Sequence, residues 1–203
     1  KAEFTDEIMV VLVTASPVFP SKRNFVEALR REHPEITTVV QNVNDRTDSL
    51  VLGSKYQVLW GKGYIVDRLC GCSFKISPGS FYQVNPIQAQ KLYEKAIELA
   101  DLTGKETVVD AYCGTGTIGM IAAKKAGKVF GVESNPDAVR DAVGNAKAND
   151  VKNIRFYRED AGHVLQSCAA DNMPVDVVLM DPPRAGSSEE FLDAVAKIGP
   201  KRV

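Results

Sequence analysis

Histidine, cysteine and tryptophan are scarce in this chain, with two, four and one among 203 residues. His33 and His163 are isolated in sequence and read as surface or helix-end residues rather than ligands. Cys70, Cys72, Cys113 and Cys168 have neither zinc-ligand spacing nor the density of a disulfide framework. That excludes a small disulfide scaffold and a zinc module, predicts no metal site, and suggests reduced thiols in a cytoplasmic protein. Long apolar runs are also missing: stretches such as Ile8–Ala15 are far too short to span a bilayer, and nothing resembles a signal peptide. Net charge is nearly absent, at −1 overall, and the first 80 residues hold 10 Lys+Arg against 9 Asp+Glu. The chain therefore has no global electrostatic footprint for nucleic acid, and any such binding rests on a local patch or on further parts of a longer protein. Internal repeats and low-complexity tracts are absent too.

What is present is ordinary globular material, 44% hydrophobic and 25% charged, enough for one domain with a smaller partner. Residues 1–79 read as a small α+β domain, antiparallel or mixed. A strand at Ile8–Thr14 is followed by a helix at Lys22–Glu32, with Ser21 as N-cap and Pro34 beyond its end. A strand at Ile36–Val43 and short candidates at Leu50–Leu52, Tyr56–Trp60, Tyr64–Leu69 and Gly71–Ile76 follow. Cys70 and Cys72, two apart in a strand pattern, are expected on one face. Lys22-Arg23 and Arg30-Arg31 could face phosphates, but charges on a helix are usually just solvated.

From residue 80 the texture changes. Pro86–Ala100 reads as an amphipathic helix, with proline acceptable at its first position. Strands and helices then alternate: Thr107–Asp110, Ile118–Ala126, Val129–Glu133, Pro136–Ala148, Ile154–Tyr157, Ala161–Ala169, Val175–Asp181, Glu189–Ile198, and a strand beginning at Arg202. Such alternation specifies an α/β domain over 80–203: a doubly wound parallel sheet with helices on both faces.

Ligands of such sheets sit outside the carboxyl ends of the strands, and every strand of this half ends in something polar. The first ends in Asp110 and the turn Gly114-Thr115-Gly116, the second in Glu133. The third leads to Glu159-Asp160, and the fourth ends in Asp181-Pro182-Pro183-Arg184. Gly114-x-Gly116-x-x-Gly119 matches the dinucleotide fingerprint, a weak signal alone. Glu133, about twenty residues on, suits the two hydroxyls of a ribose. This fits NAD and S-adenosylmethionine alike. Asp110 favours the second, because a carboxylate beside the turn repels a pyrophosphate and attracts a sulfonium and an ammonium. Asp181-Pro182-Pro183 is a rigid loop without backbone donors of its own, of the kind amino and nucleobase methyltransferases place beside the methyl group. Cys113 reads as a thiol packed beneath the loop.

Phe81-Tyr82-Gln83-Val84-Asn85, Asp110-Ala111-Tyr112-Cys113-Gly114-Thr115-Gly116, Gly131-Val132-Glu133 and Asp181-Pro182-Pro183-Arg184-Ala185-Gly186, in this order, resemble the RNA uracil-5-methyltransferase family. The resemblance covers the second half well and the first half more loosely. It implies a Rossmann-like class I methyltransferase sheet, S-adenosyl-L-methionine as cofactor, and an RNA substrate. That substrate would be a uridine of 23S ribosomal RNA, or alternatively of transfer RNA. By position it implies that Gln83 contacts the methionine part or the target base, and that Tyr112 lies at the cofactor along the turn. Glu133 would take the ribose hydroxyls, Asp160 the adenine amino group, and Asp181 would stand near the sulfonium and the uracil. Gln83 and Tyr112 rest on the resemblance alone. Residues 1–79 would correspond to the family's central, RNA-contacting domain.

The family's chemistry uses a cysteine thiolate to attack C6 of uracil and a carboxylate base to remove the C5 proton. Its nucleophile belongs to a Ser-Cys-Asn-Pro motif just after the fifth strand. None of the four cysteines occupies that place, so the nucleophile is expected beyond Val203 and no catalytic residue is assigned here. The chain is read as cut at both ends, able to hold the cofactor but not to methylate. Any iron–sulfur cysteines or RNA-binding barrel would precede Lys1. Two other classes stay open at this point: an NAD-dependent oxidoreductase, and a non-catalytic RNA-binding module.

Overall fold

The computed structural model describes all residues from Lys1 to Val203. It divides into two compact units: Lys1–Arg68 with Lys75–Gly79, and Leu69–Phe74 with Ser80–Val203.

In the first unit β1 (Ile8–Thr14) leads through α1 (Lys22–Glu32) to β2 (Ile36–Val43), and β3 (Lys55–Gly61) follows. β1 pairs parallel with β2, as a helical crossover requires, and β3 pairs antiparallel with β2. The sheet is thus mixed, in the order β1-β2-β3. Its core joins Val26 of α1 to Ile36 and Val39 of β2, with Leu12, Leu29 and Trp60 packed around them. β4 (Ile65–Leu69) and β5 (Cys72–Ile76) form a two-stranded sheet.

Three expectations fail here for local reasons. Leu50–Leu52 is not a strand. The Asn44 side chain donates to the carbonyls of Leu50 and Val51, and Asp48 accepts from the Leu50 N–H. Side chains satisfy this backbone in place of a ladder. Ser21 precedes α1 in the left-handed region, at φ 57°, and its side chain caps nothing. Cys70 lies in the β4–β5 turn at φ 48°, with Gly71 at φ 71°. Both turn residues have the positive φ of a tight two-residue hairpin, so Cys70 does not share a strand face with Cys72.

The second unit carries α2 (Pro86–Ala100), β6 (Thr107–Ala111), α3 (Thr117–Ala123), β7 (Lys128–Glu133), α4 (Pro136–Ala148), β8 (Ile154–Arg158), α5 (Ala161–Ala170), β9 (Val177–Met180) and α6 (Glu189–Ile198). The strands are parallel in the order β8-β7-β6-β9. Arg202 adds a parallel bridge to Val177 on the far side of β9. Alternate residues of β6, β7 and β9 feed two cores, and β8 feeds one of them. Val108, Val129, Ile154 and Val177 pack with Met120 and Ala122 of α3 and Tyr93 and Ile97 of α2. Val109, Val132 and Val178 pack with Leu165 of α5 and Phe191 of α6. Burial on both faces explains why β6, β7 and β9 read as mostly apolar runs, whereas the edge strand β8, Ile-Arg-Phe-Tyr-Arg, does not. Two elements differ by more than one residue: α3 stops at Ala123 rather than Ala126, and β9 is shorter than Val175–Asp181, leaving Asp181 in the loop after the strand.

Phe191 is fully buried, its ring 5.4 Å from that of Tyr112. Phe191→Ala should lower the unfolding free energy by about 3–5 kcal/mol, read as an earlier urea midpoint with an unchanged slope.

Candidate functional site

The chain reverses direction across the sheet at β6. From there it winds outward to β7 and β8, then crosses back to β9. The crevice of such a sheet opens where those paths part, at the carboxyl ends of β6 and β9. Asp110 stands near the end of β6 and Asp181 just after β9.

The β6–α3 turn is built from left-handed backbone. Tyr112, Gly114 and Gly116 have φ of 62°, 54° and 81°, a conformation that glycine accepts freely and tyrosine at a cost. The glycine N–H groups are already committed. Gly114 N donates to Glu133 Oε2 (3.1 Å), Gly116 N to the Cys113 carbonyl (2.8 Å), and Gly119 N to Asp110 Oδ2 (2.7 Å). A pyrophosphate needs those donors. Here two of the three serve carboxylates, so the turn presents anionic groups instead of an anion cradle.

Gly116 and Gly119 are glycine for packing. A Cβ on Gly116 would stand 2.7 Å from the ring of Phe156, and one on Gly119 would stand 2.7 Å from Asp110 Oδ2. A Cβ on Gly114 would meet nothing within 4 Å, so Gly114 alone of the three faces open space.

Gln83, Asp110, Tyr112, Gly114 and Asp181 line one crevice together with Tyr93 of α2. Gln83 lies just before α2, which Asn85 caps ahead of Pro86 by accepting from the Gln88 N–H. The Gln83 side chain hydrogen-bonds the Tyr93 phenol, whose pKa burial raises against that bond. Asp110 is 1% exposed. Burial pushes its carboxyl up to about 7, helped by the charges of Asp181 and Glu133 and opposed by the Gly119 N–H.

Glu133, half-buried at the end of β7, receives the Asn135 N–H at 2.7 Å on its second oxygen. Its carboxylate retains lone pairs for further donors. Asp160 is exposed and caps α5, its Oδ1 accepting from Gly162 N (2.8 Å) and His163 N (3.2 Å). Neither Glu133, Asp160 nor Gly116 lines the crevice that holds the other five. Tyr93 went unremarked in the sequence because it sits at a core position of an amphipathic helix. Its polar tip becomes visible only once Gln83 is seen beside it.

Cys113 is buried under the turn, and burial with the Asp110 and Glu133 charges pushes its thiol well above the ordinary range. Burial likewise raises Cys70, to about 11, and Cys168. A nucleophilic cysteine needs the opposite surroundings. No group of three or more His, Cys, Asp or Glu could hold a metal ion, and no helix is long and apolar enough to cross a membrane.

The family model described as a methyltransferase domain matches residues 102–198. The second unit has the Rossmann-like fold of class I, S-adenosylmethionine-dependent methyltransferases. One solved structure extends the likeness beyond the second unit. The Pyrococcus abyssi tRNA (uracil-54, C5)-methyltransferase, solved with S-adenosyl-L-homocysteine, superposes with a TM-score of 0.78 at 28% identity, over 99% of this chain and 46% of that one. An uncharacterized RNA methyltransferase of Oceanobacillus iheyensis is 42% identical over 200 residues, 98% of this chain and 44% of that protein. Another, from Halalkalibacterium halodurans, is 44% identical over 199 residues, 98% of this chain and 43% of that protein. The chain thus spans less than half the length of these curated relatives.

The residues fit the cofactor of the methyltransferase fold. Three carboxylates, from Asp110, Glu133 and Asp181, suit a ligand carrying a sulfonium and an ammonium, and the engaged glycine N–H groups do not suit a phosphate.

Proposed function

We propose that this chain is the cofactor-holding part of an RNA methyltransferase that methylates C5 of a uridine, in 23S ribosomal RNA or in transfer RNA. The observation that carries the reading is the meeting of Gln83, Asp110, Tyr112, Gly114 and Asp181 in one crevice at the sheet's reversal. The ordered motifs around those residues, and a likeness to a tRNA uracil-C5 enzyme that covers nearly the whole chain, support uridine C5. The engaged glycine N–H groups speak against NAD.

When bound, S-adenosyl-L-methionine supplies the methyl group and a positive charge. Asp110 and Asp181 stabilise that charge from the ends of β6 and β9, and Glu133 accepts from the ribose hydroxyls while holding the turn through Gly114. Asp160 accepts from the adenine amino group at the head of α5. Gln83, steadied by Tyr93, orients the methionine part or the target base, and Tyr112 closes the crevice beside the turn. Residues 1–79, apart from the Leu69–Phe74 segment that packs with the second unit, form an RNA-contacting domain ahead of the methyltransferase domain of 80–203. The thiolate that attacks C6 of uracil, and the base that takes the C5 proton, come from outside these 203 residues, since no cysteine here is both placed and ionised for the task.

The test is tritium release from RNA labelled at C5 of uridine. A protein extended through the region its relatives add should release tritium in step with methylation, while residues 1–203 alone should release none. Release by these residues alone refutes the division of labour, and methylation with full retention of label refutes C5.

A further inference from the structure

Outside the methyltransferase crevice, the first unit carries a groove of about 240 Å³ between α1 and β3. One wall is the α1 face bearing Lys22, Arg23, Glu27 and Arg30; the other is β3 from Gln57 to Trp60. The sequence left the cations of α1 between facing phosphates and being merely solvated, with solvation favoured. In the structure three of them converge on one concave surface, in a unit whose overall charge is close to neutral.

Their partners distinguish them from ordinary solvated charges. Arg31, off the groove, pairs with Glu32. Lys22 donates to the Gln57 amide oxygen at 3.1 Å, a neutral partner that keeps its full charge available. Arg30 lies over the indole of Trp60, its guanidinium carbon 3.9 Å from the ring centroid. Stacking fixes the guanidinium plane and leaves its in-plane N–H fork free for an oxyanion. From Lys22 to Arg30 is roughly 12 Å along the helix, room for more than one phosphate. Glu27 is the one acid in the row.

We propose that the α1–β3 groove binds the sugar-phosphate backbone of single-stranded RNA, with Lys22, Arg23 and Arg30 contacting phosphates and the Arg30–Trp60 stack fixing the strand's path. This rests on the reading of the protein as an RNA methyltransferase, and gives its substrate a docking surface of its own. Glu27 opposes the strand and limits its affinity.

Trp60 is the only tryptophan of the chain, so its fluorescence reports on the groove directly. A twelve-nucleotide oligouridylate titrated into the protein at low salt should change Trp60 emission saturably. Combined Lys22→Ala, Arg23→Ala and Arg30→Ala substitution should weaken binding at least tenfold and flatten its salt slope by about 2, at roughly 0.7 per lost phosphate contact. Glu27→Gln should tighten binding, an effect in the opposite direction that damage to the fold would not produce. Unchanged Trp60 emission, a triple variant that binds like the unsubstituted chain, or equal response to polyglutamate would overturn the proposal. S-adenosylhomocysteine titrated into the same variants reads the methyltransferase assignment separately. Cofactor binding without RNA binding sinks the groove alone, and RNA binding at the groove without cofactor binding sinks the enzymatic reading alone.

Discussion

Glu133→Ala should cost this protein about a hundredfold or more in affinity for S-adenosylhomocysteine. The Glu133 carboxylate has two duties. It accepts the Gly114 N–H at 3.1 Å and the Asn135 N–H at 2.7 Å, which ties the glycine turn of β6 to the end of β7. In the proposed complex its remaining lone pairs also accept from the ribose hydroxyls. Charge-assisted hydrogen bonds are worth about 1.5–3 kcal/mol each, so losing two accounts for the hundredfold before the turn loosens. Glu133→Gln keeps the length and one oxygen but loses the charge, and should fall between the two. Calorimetric titration of all three proteins checks the order. Equal affinities would mean that the β7 end does not touch the ligand.

The second large effect concerns Asp110 and is read against pH. Its carboxyl titrates near 7 in the folded protein, chiefly through burial, against about 3.9 in an unfolded chain. Between those values the folded state binds a proton that the unfolded state has released, so stability falls as pH rises. The contribution is fully present below about pH 4 and lost by the time pH passes about 7. The span corresponds to an order of 2–4 kcal/mol. Asp110→Asn removes the titration. It should be the more stable protein at pH 8, with the difference disappearing toward pH 4, as urea unfolding at several pH values would reveal. Cofactor affinity should move the other way. It should rise through pH 7 in the unsubstituted protein as Asp110 ionises toward a cationic ligand, and be lower and flat in the variant. Parallel stability profiles for the two proteins would contradict the assignment of the buried proton to Asp110.

Three helices of the second unit have the bounds read from the sequence, and the structure shows a capping side chain ahead of each. Asn85 before Pro86, Asn135 before Pro136 and Ser188 before Glu189 each accept from an N–H of the first turn. The acids at strand ends were legible for a topological reason. In an all-parallel sheet every strand delivers its last residue to the same edge, so Asp110, Glu133 and Asp181 arrive there whatever the packing.

Contacts distant in sequence were not legible. Ser21 has the composition of a cap, but its left-handed backbone points the side chain away. Leu50 and Val51 have strand-like composition, but Asn44 and Asp48 occupy their backbone. Gly116 stands in a ligand motif, yet its missing Cβ serves Phe156, forty residues on. The Gln83–Tyr93 bond and the Arg30–Trp60 stack likewise join residues whose proximity only the fold creates.

In the proposed complex the glycine turn of β6 holds S-adenosyl-L-methionine through carboxylates rather than a dinucleotide through its N–H groups. Calorimetric titration of residues 1–203 with S-adenosylhomocysteine and, separately, with NAD tests it most directly. One site for S-adenosylhomocysteine is expected, weakened about a hundredfold or more by Glu133→Ala, with no heat from NAD. Binding of NAD with S-adenosylhomocysteine silent would contradict it.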